Sequence, residues 1–122
     1  MAELTTIARP YAKAAFMFAK EQNALAEWEQ MLGLAAAVAQ EATMRAYLDQ
    51  PELDIETQAK AIGDVCGDEL NESARNFIAQ LADNKRLSLL PTIAMLFHEL
   101  AAEDQRTIDV ELIAPFELED AE

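Results

Sequence analysis

Two residues in this chain belong to the types that most often do chemistry, the single histidine His98 and the single cysteine Cys66. A nucleophilic centre needs a nucleophile, a base and a group that orients the base, and no such set assembles around either. His98 has no Cys or His three or four residues away, so a metal reading lacks its second ligand. Glu99 and Glu103 stand at i, i+4, a spacing common to solvated helix faces. A dinuclear carboxylate bundle needs Glu-x-x-His on each of two helices, which one histidine cannot supply. Neither GxGxxG nor GxxxxGK[ST] occurs. Cys66 reads as a small buried apolar residue, because a reactive thiol wants an electropositive setting and none is nearby. It cannot form an internal disulfide, which fits a reducing compartment. The chemistry that remains is recognition of another protein.

The bulk composition narrows the partner. A formal net charge of -14 disfavours nucleic acid and anionic lipid, both of which demand clustered Lys and Arg, and suits a partner with basic residues. The N-terminus has no basic region followed by an apolar stretch, so no signal peptide is expected. No apolar run approaches the length of a membrane span. The chain of 122 residues is 52% hydrophobic, enough for a core, and its 3 glycines and 4 prolines favour helices over a turn-rich β fold.

Six helices are predicted to position the surface. The first, Thr6 to about Glu21, carries more apolar residues than one buried face needs. Ile7, Tyr11, Ala14, Ala15 and Phe18 recur at helical spacing, and Ala8, Ala12, Phe16 and Ala19 extend the apolar surface round the cylinder. Thr5 or Thr6 is the expected cap, with Pro10 in the first turn. The second helix, Ala24 to Gln40 after an Asn23 cap, buries Leu25, Trp28, Met31, Leu32, Ala35, Val38 and Ala39; Gly33 on it suggests a close helix contact. A short third helix covers Ala42 to Asp49. The fourth spans Ile55 to Cys66, capped by Asp54 and ended by a left-handed Gly67, with Ile55, Ala59, Ile62, Val65 and Cys66 inward. The fifth runs from Asn71 or Ser73 to Asp83, with Leu70, Ala74, Phe77, Ile78 and Leu81 inward and Ser73, Asn76 and Gln80 forming an uncharged polar shoulder; Asn84 would end it left-handed. The sixth starts at Ser88, buries Ile93, Leu96, Phe97, Leu100 and Ala101, and fades near Glu103-Asp104.

Beyond Arg106 the period changes from 3.6 to 2. Ile108, Val110 and Leu112 alternate with Asp109 and Glu111, the pattern of a half-buried strand. A single strand has no ladder partner, so it would pair in a dimer or begin a further domain. The fold expected is an all-α six-helix bundle at 1–105, with one C-terminal β-strand in 106–122 opening a second domain.

Two stretches carry a resemblance. TIARPYAKAAFMFA at 6–19 and NFIAQLADNKRLSLLPTIAMLF at 76–97 resemble the delta subunits of bacterial F-type ATP synthases, counterparts of the mitochondrial oligomycin-sensitivity-conferring protein. ARPYAKA, Asn84 with Arg86-Leu87, and Leu90-Pro91 before Phe97 fall in the family's order and spacing, and TIDVELIAPFEL looks like its entry into a C-terminal domain. The resemblance implies a non-catalytic stator component without cofactor, peripheral on the cytoplasmic face of the bacterial inner membrane and not inserted in it. In that family the N-terminal domain binds the N-terminal helix of an α subunit in a groove between the first and fifth helices, and the C-terminal domain attaches to the peripheral-stalk b subunits. That second domain is longer in the family than the stretch present here, so contacts to b are not carried over. On the groove the expected residues are Ile7, Tyr11, Ala14 and Phe18 from the first helix and Asn76, Gln80 and Asp83 from the fifth. A generic adaptor for another amphipathic helix, a small-ligand bundle, and a homodimer paired through 108–113 are the competing readings.

Overall fold

The computed structural model describes the backbone of residues 2–121 and the side chains of residues 4–106. Among the described residues there are six α-helices and no strand: α1 Ala2–Glu21, α2 Leu25–Gln40, α3 Ala42–Leu48, α4 Ile55–Cys66, α5 Glu72–Asp83 and α6 Leu90–Ala121. Short 3-10 turns at Gly67–Glu69 and Leu87–Leu89 lead into α5 and α6.

Local chemistry sets most boundaries. The Asp54 carboxylate accepts from the Thr57 N–H at 2.8 Å, and the Asn71 side chain accepts from the Ala74 N–H at 2.9 Å, each satisfying a donor that the first helical turn leaves orphaned. Glu41 caps α3 the same way, through the Met44 N–H at 3.1 Å. Gly67 ends α4 at φ 61°, ψ -136°, a conformation only glycine adopts readily.

Several expected details differ. α1 starts at Ala2 and not at Thr6, which puts Pro10 inside the helix. Pro10 is exposed, so water can serve the backbone its missing N–H leaves behind. Asn23 is not the cap of α2. It takes φ 56° as the left-handed residue that closes α1, and Ala24 sits at the cap. At the end of α5 the left-handed residue is Lys85, at φ 58°, while Asn84 keeps φ -91°. Ser88 lies within the 3-10 turn, and α6 opens at Leu90 with Pro91 in its first turn. Gly33 makes no close contact, since a Cβ there would meet nothing within 4 Å. Val65 faces water at 62% exposure.

The expected strand over 108–112 is helix in the structure, the backbone of α6 continuing through it to Ala121. An alternating sequence pairs as a strand only when a neighbour takes its N–H and C=O groups; a helix satisfies them within itself. The dimer through that strand loses its basis with it.

The core centres on α6 and α2. Phe97, Ile93 and Leu90 of α6 are fully buried with Leu32, Ile62 and Leu81. α1 lies mainly on α6 and secondarily on α2, while α5 lies mainly on α4, and α2 touches both groups. α1 packs through alanines: Ala8, Ala12, Ala15 and Ala19 are at most 2% exposed. Side chains this small let helix axes approach toward the near end of the usual range of about 8–10 Å. Phe16 adds an edge-on contact to Phe97, ring centroids 6.0 Å apart, and Lys20 reaches Asp104 at 2.5 Å.

Candidate partner-binding groove

The alanine stripe decides where the larger apolar residues of α1 go. Each helical step turns about 100°, so Ile7, Tyr11, Ala14 and Phe18 share a line roughly 100° from Ala8, Ala12, Ala15 and Ala19. Ile7 is 39% and Phe18 41% exposed, Ala14 is exposed and Tyr11 half-buried. Leu4 and Met17, at 42% and 67%, widen this apolar strip. The opposite flank of α1 is basic, with Arg9, Lys13 and Lys20.

α5 faces this strip across α2. The ring of Phe18 stands edge-on to Trp28 of α2 with centroids 5.7 Å apart, and Trp28 stands edge-on to Phe77 of α5 at 5.8 Å. Trp28 is buried between the rings of Phe18 and Phe77. Further along, the Asn84 Nδ2 donates to the Tyr11 hydroxyl oxygen at 3.2 Å. Tyr11 thus stands opposite Asn84, the residue that follows α5, while Phe18 and Phe77 share Trp28 of α2 between them. Seven residues separate Tyr11 from Phe18 and Phe77 from Asn84, about 10 Å of helix.

Of the α5 residues expected here, Gln80 lies about 60° from Phe77, on the Ser73 side, and lines the shoulder. Asn76 and Asp83 lie about 100° and 120° from Phe77 on the helical wheel and are exposed. Three contributors were missed. Phe77 and Trp28 fit apolar stripes, and spacing cannot distinguish a ring at the rim of a stripe from one at its centre. Asn84 stood out as a helix-ending residue and as part of the family resemblance; its side-chain bond to Tyr11, 73 positions away, leaves no local signal.

No catalytic constellation appears among the described residues. His98 pairs with Glu29 across the exposed α2–α6 surface, and no group of three His, Cys, Asp or Glu side chains is placed to hold a metal. Burial pushes the Cys66 thiol up, with Arg75 pulling weakly the other way. That Arg75 instead clasps the turn after α4, donating to the Gly67 carbonyl at 2.5 Å and the Leu70 carbonyl at 3.4 Å. Two surface recesses lie apart from the groove. One of about 450 Å³ sits between α1 and α6 beside Arg9, Lys13 and Arg106, and one of about 660 Å³ sits near Arg45, Pro51, Leu87 and Pro91. No helix among the described residues is long and apolar enough to cross a membrane.

The family profile described as ATP synthase delta (OSCP) subunit matches residues 7–122. A protein named ATP synthase subunit delta from Alcanivorax borkumensis is 71% identical over 121 residues, covering 99% of this chain and 68% of its own length. Proteins of the same name from Methylobacillus flagellatus and Cellvibrio japonicus are 48% and 49% identical, over 100% and 97% of this chain and 68% and 66% of theirs. The chain belongs to the ATP synthase delta (OSCP) subunit family, a non-catalytic component of the F-type ATP synthase.

Proposed function

We propose that the groove between α1 and α5 binds the N-terminal helix of an α subunit of the catalytic head, and that this contact helps hold the head to the peripheral stalk while the rotor turns. The observation that carries the reading is the uncovered line of Ile7, Ala14 and Phe18 on a helix that has already packed through its alanines. An amphipathic guest with anchors at i, i+3, i+4 and i+7 fits such a trough. Ala14 at its middle leaves room for a large guest side chain, Phe18 and Phe77 flank one end, and Tyr11 offers ring area with a hydroxyl at the other. The family's attachment to the b subunits belongs to a C-terminal domain that would follow residue 105.

A stator contact must outlast torque, which asks for nanomolar affinity or better, about -12 kcal/mol. A groove already formed, with Trp28 fixed in the core beneath it, leaves most of the ordering cost to the guest alone. Calorimetric titration with a synthetic peptide of the α-subunit N-terminal segment from the same organism should give tight one-to-one binding. A folded protein that ignores this peptide while capturing unrelated amphipathic helices would favour the general adaptor reading.

A further inference from the structure

We propose that Gly63 and Arg75 form a lock between α4 and α5, and that this lock, away from the groove, sets how ready the groove is for its guest. This rests on the helix-in-groove reading above and names the residues that keep one side of the groove in place. α1 lies mainly on α6 and α5 mainly on α4, so the spacing of the two sides follows from where α4 holds α5. At that junction the Arg75 side chain reaches back from the start of α5. Its Nη2 donates to the Gly67 carbonyl at 2.5 Å and its Nε to the Leu70 carbonyl at 3.4 Å. Both carbonyls belong to the turn that joins α4 to α5. A guanidinium carries its donors in a rigid planar fork, so two bonds fix its direction as well as its reach. Gly63, one turn before the end of α4, is buried, and a Cβ built on it would stand 2.7 Å from Arg75 Nη1. The glycine therefore leaves the space that the guanidinium fills. Gly33 and Gly67 have no such neighbour. Phe77 lies about 160° round α5 from Arg75, so the lock grips α5 from the side away from the ring that meets Trp28.

Gly63→Ala drives the tip of Arg75 off its carbonyls, while the better helix propensity of alanine offsets the loss within α4. Arg75→Ala removes the lock from the other side. These two variants and the double variant are titrated in the calorimeter with the peptide of the α-subunit N-terminal segment, and amide hydrogen exchange is followed in the free proteins. If α5 rests in its binding position only about a tenth of the time, the apparent affinity falls about tenfold. Each single variant should bind about tenfold more weakly, with the α5 amides exchanging faster and those of α2 and α6 unchanged. Gly63→Ala should melt close to the parent. The double variant should also lose only about tenfold, because both substitutions break one and the same contact. A double variant weakened about a hundredfold shows two residues acting separately and overturns the lock. Single variants that bind like the parent, whatever their melting temperatures, make Arg75 a residue of stability alone and overturn its positioning role; the helix-in-groove reading then stands. Failure of the parent itself to bind the peptide overturns both.

Discussion

Ala14 and Ala15 are neighbours in sequence and about 100° apart on α1, and the structure gives them opposite fates. Ala15 is 2% exposed against the core, whereas Ala14 is exposed on the groove line. Ala14→Asp and Ala15→Leu should therefore separate binding from stability. For Ala14→Asp the folded protein loses only helix propensity, about 0.7 kcal/mol, or roughly 3 °C of melting temperature for a chain this size. On binding, the same carboxylate is trapped under an apolar guest with no partner. An unpaired buried ion costs several kcal/mol, and even about 3 kcal/mol weakens the complex roughly 100-fold.

Ala15→Leu reverses the pattern. Its added methylenes must enter the α1–α6 contact, where overpacking costs about 1–3 kcal/mol, a fall of roughly 4–12 °C. The guest never meets that side chain, so affinity at 25 °C should stay within a few fold. Differential scanning calorimetry and peptide titration on the same two samples give both readouts. Should Ala14→Asp bind the α-subunit peptide like the parent, the groove is not the site. Should Ala15→Leu prove thermally silent, the alanine stripe is not the packing face and the geometry behind both expectations fails.

Three further outcomes are expected. Gly33→Ala should raise the melting temperature by about 4 °C, since an exposed helical glycine costs about 1 kcal/mol and a Cβ there meets nothing; Gly67→Ala, at φ 61°, should lower stability by about 1–2 kcal/mol. Hydrogen bonds from the Thr57 hydroxyl and N–H hold the Asp54 carboxyl below the ordinary value of 3.8. Its stabilising contribution is therefore present above the unfolded-state value and lost as pH falls through the lower folded one, so the urea midpoint of the parent minus that of Asp54→Asn should shrink between pH 6 and pH 3; a gap that does not move with pH refutes the assignment. Cys66, buried and with its thiol pushed up by burial, should react with a thiol reagent at pH 8 far more slowly in the folded protein than in urea, and equal rates would contradict its burial.

Much of the fold was legible because its signals are local. The caps at Asp54 and Asn71, the glycine stop at Gly67 and the apolar stripes of α2 and α5 each follow from a few adjacent residues. What could not be read depends on distant partners. The alternation at 108–112 describes a strand only if another strand exists to pair with it, and the chain continues as helix there. The Tyr11–Asn84 bond joins residues whose types allow many other partners.

The harder ambiguity was on α1, where apolar residues nearly encircle the helix and periodicity alone offers two packing faces. Burial of a Leu, Ile or Phe contributes about 1.5–3 kcal/mol, so area alone favours turning Ile7 and Phe18 inward. The structure turns the alanines inward instead. Small side chains let α1 settle close on α6, and the dispersion gained along the whole close contact substitutes for the larger residues' area. Leu4, Ile7 and Phe18 are then left about 40% exposed, their burial energy unspent in folding and available to association. A helix that carries both an alanine stripe and a bulky stripe therefore points to a missing neighbour on its bulky side, here one that would rest on Ile7, Ala14 and Phe18.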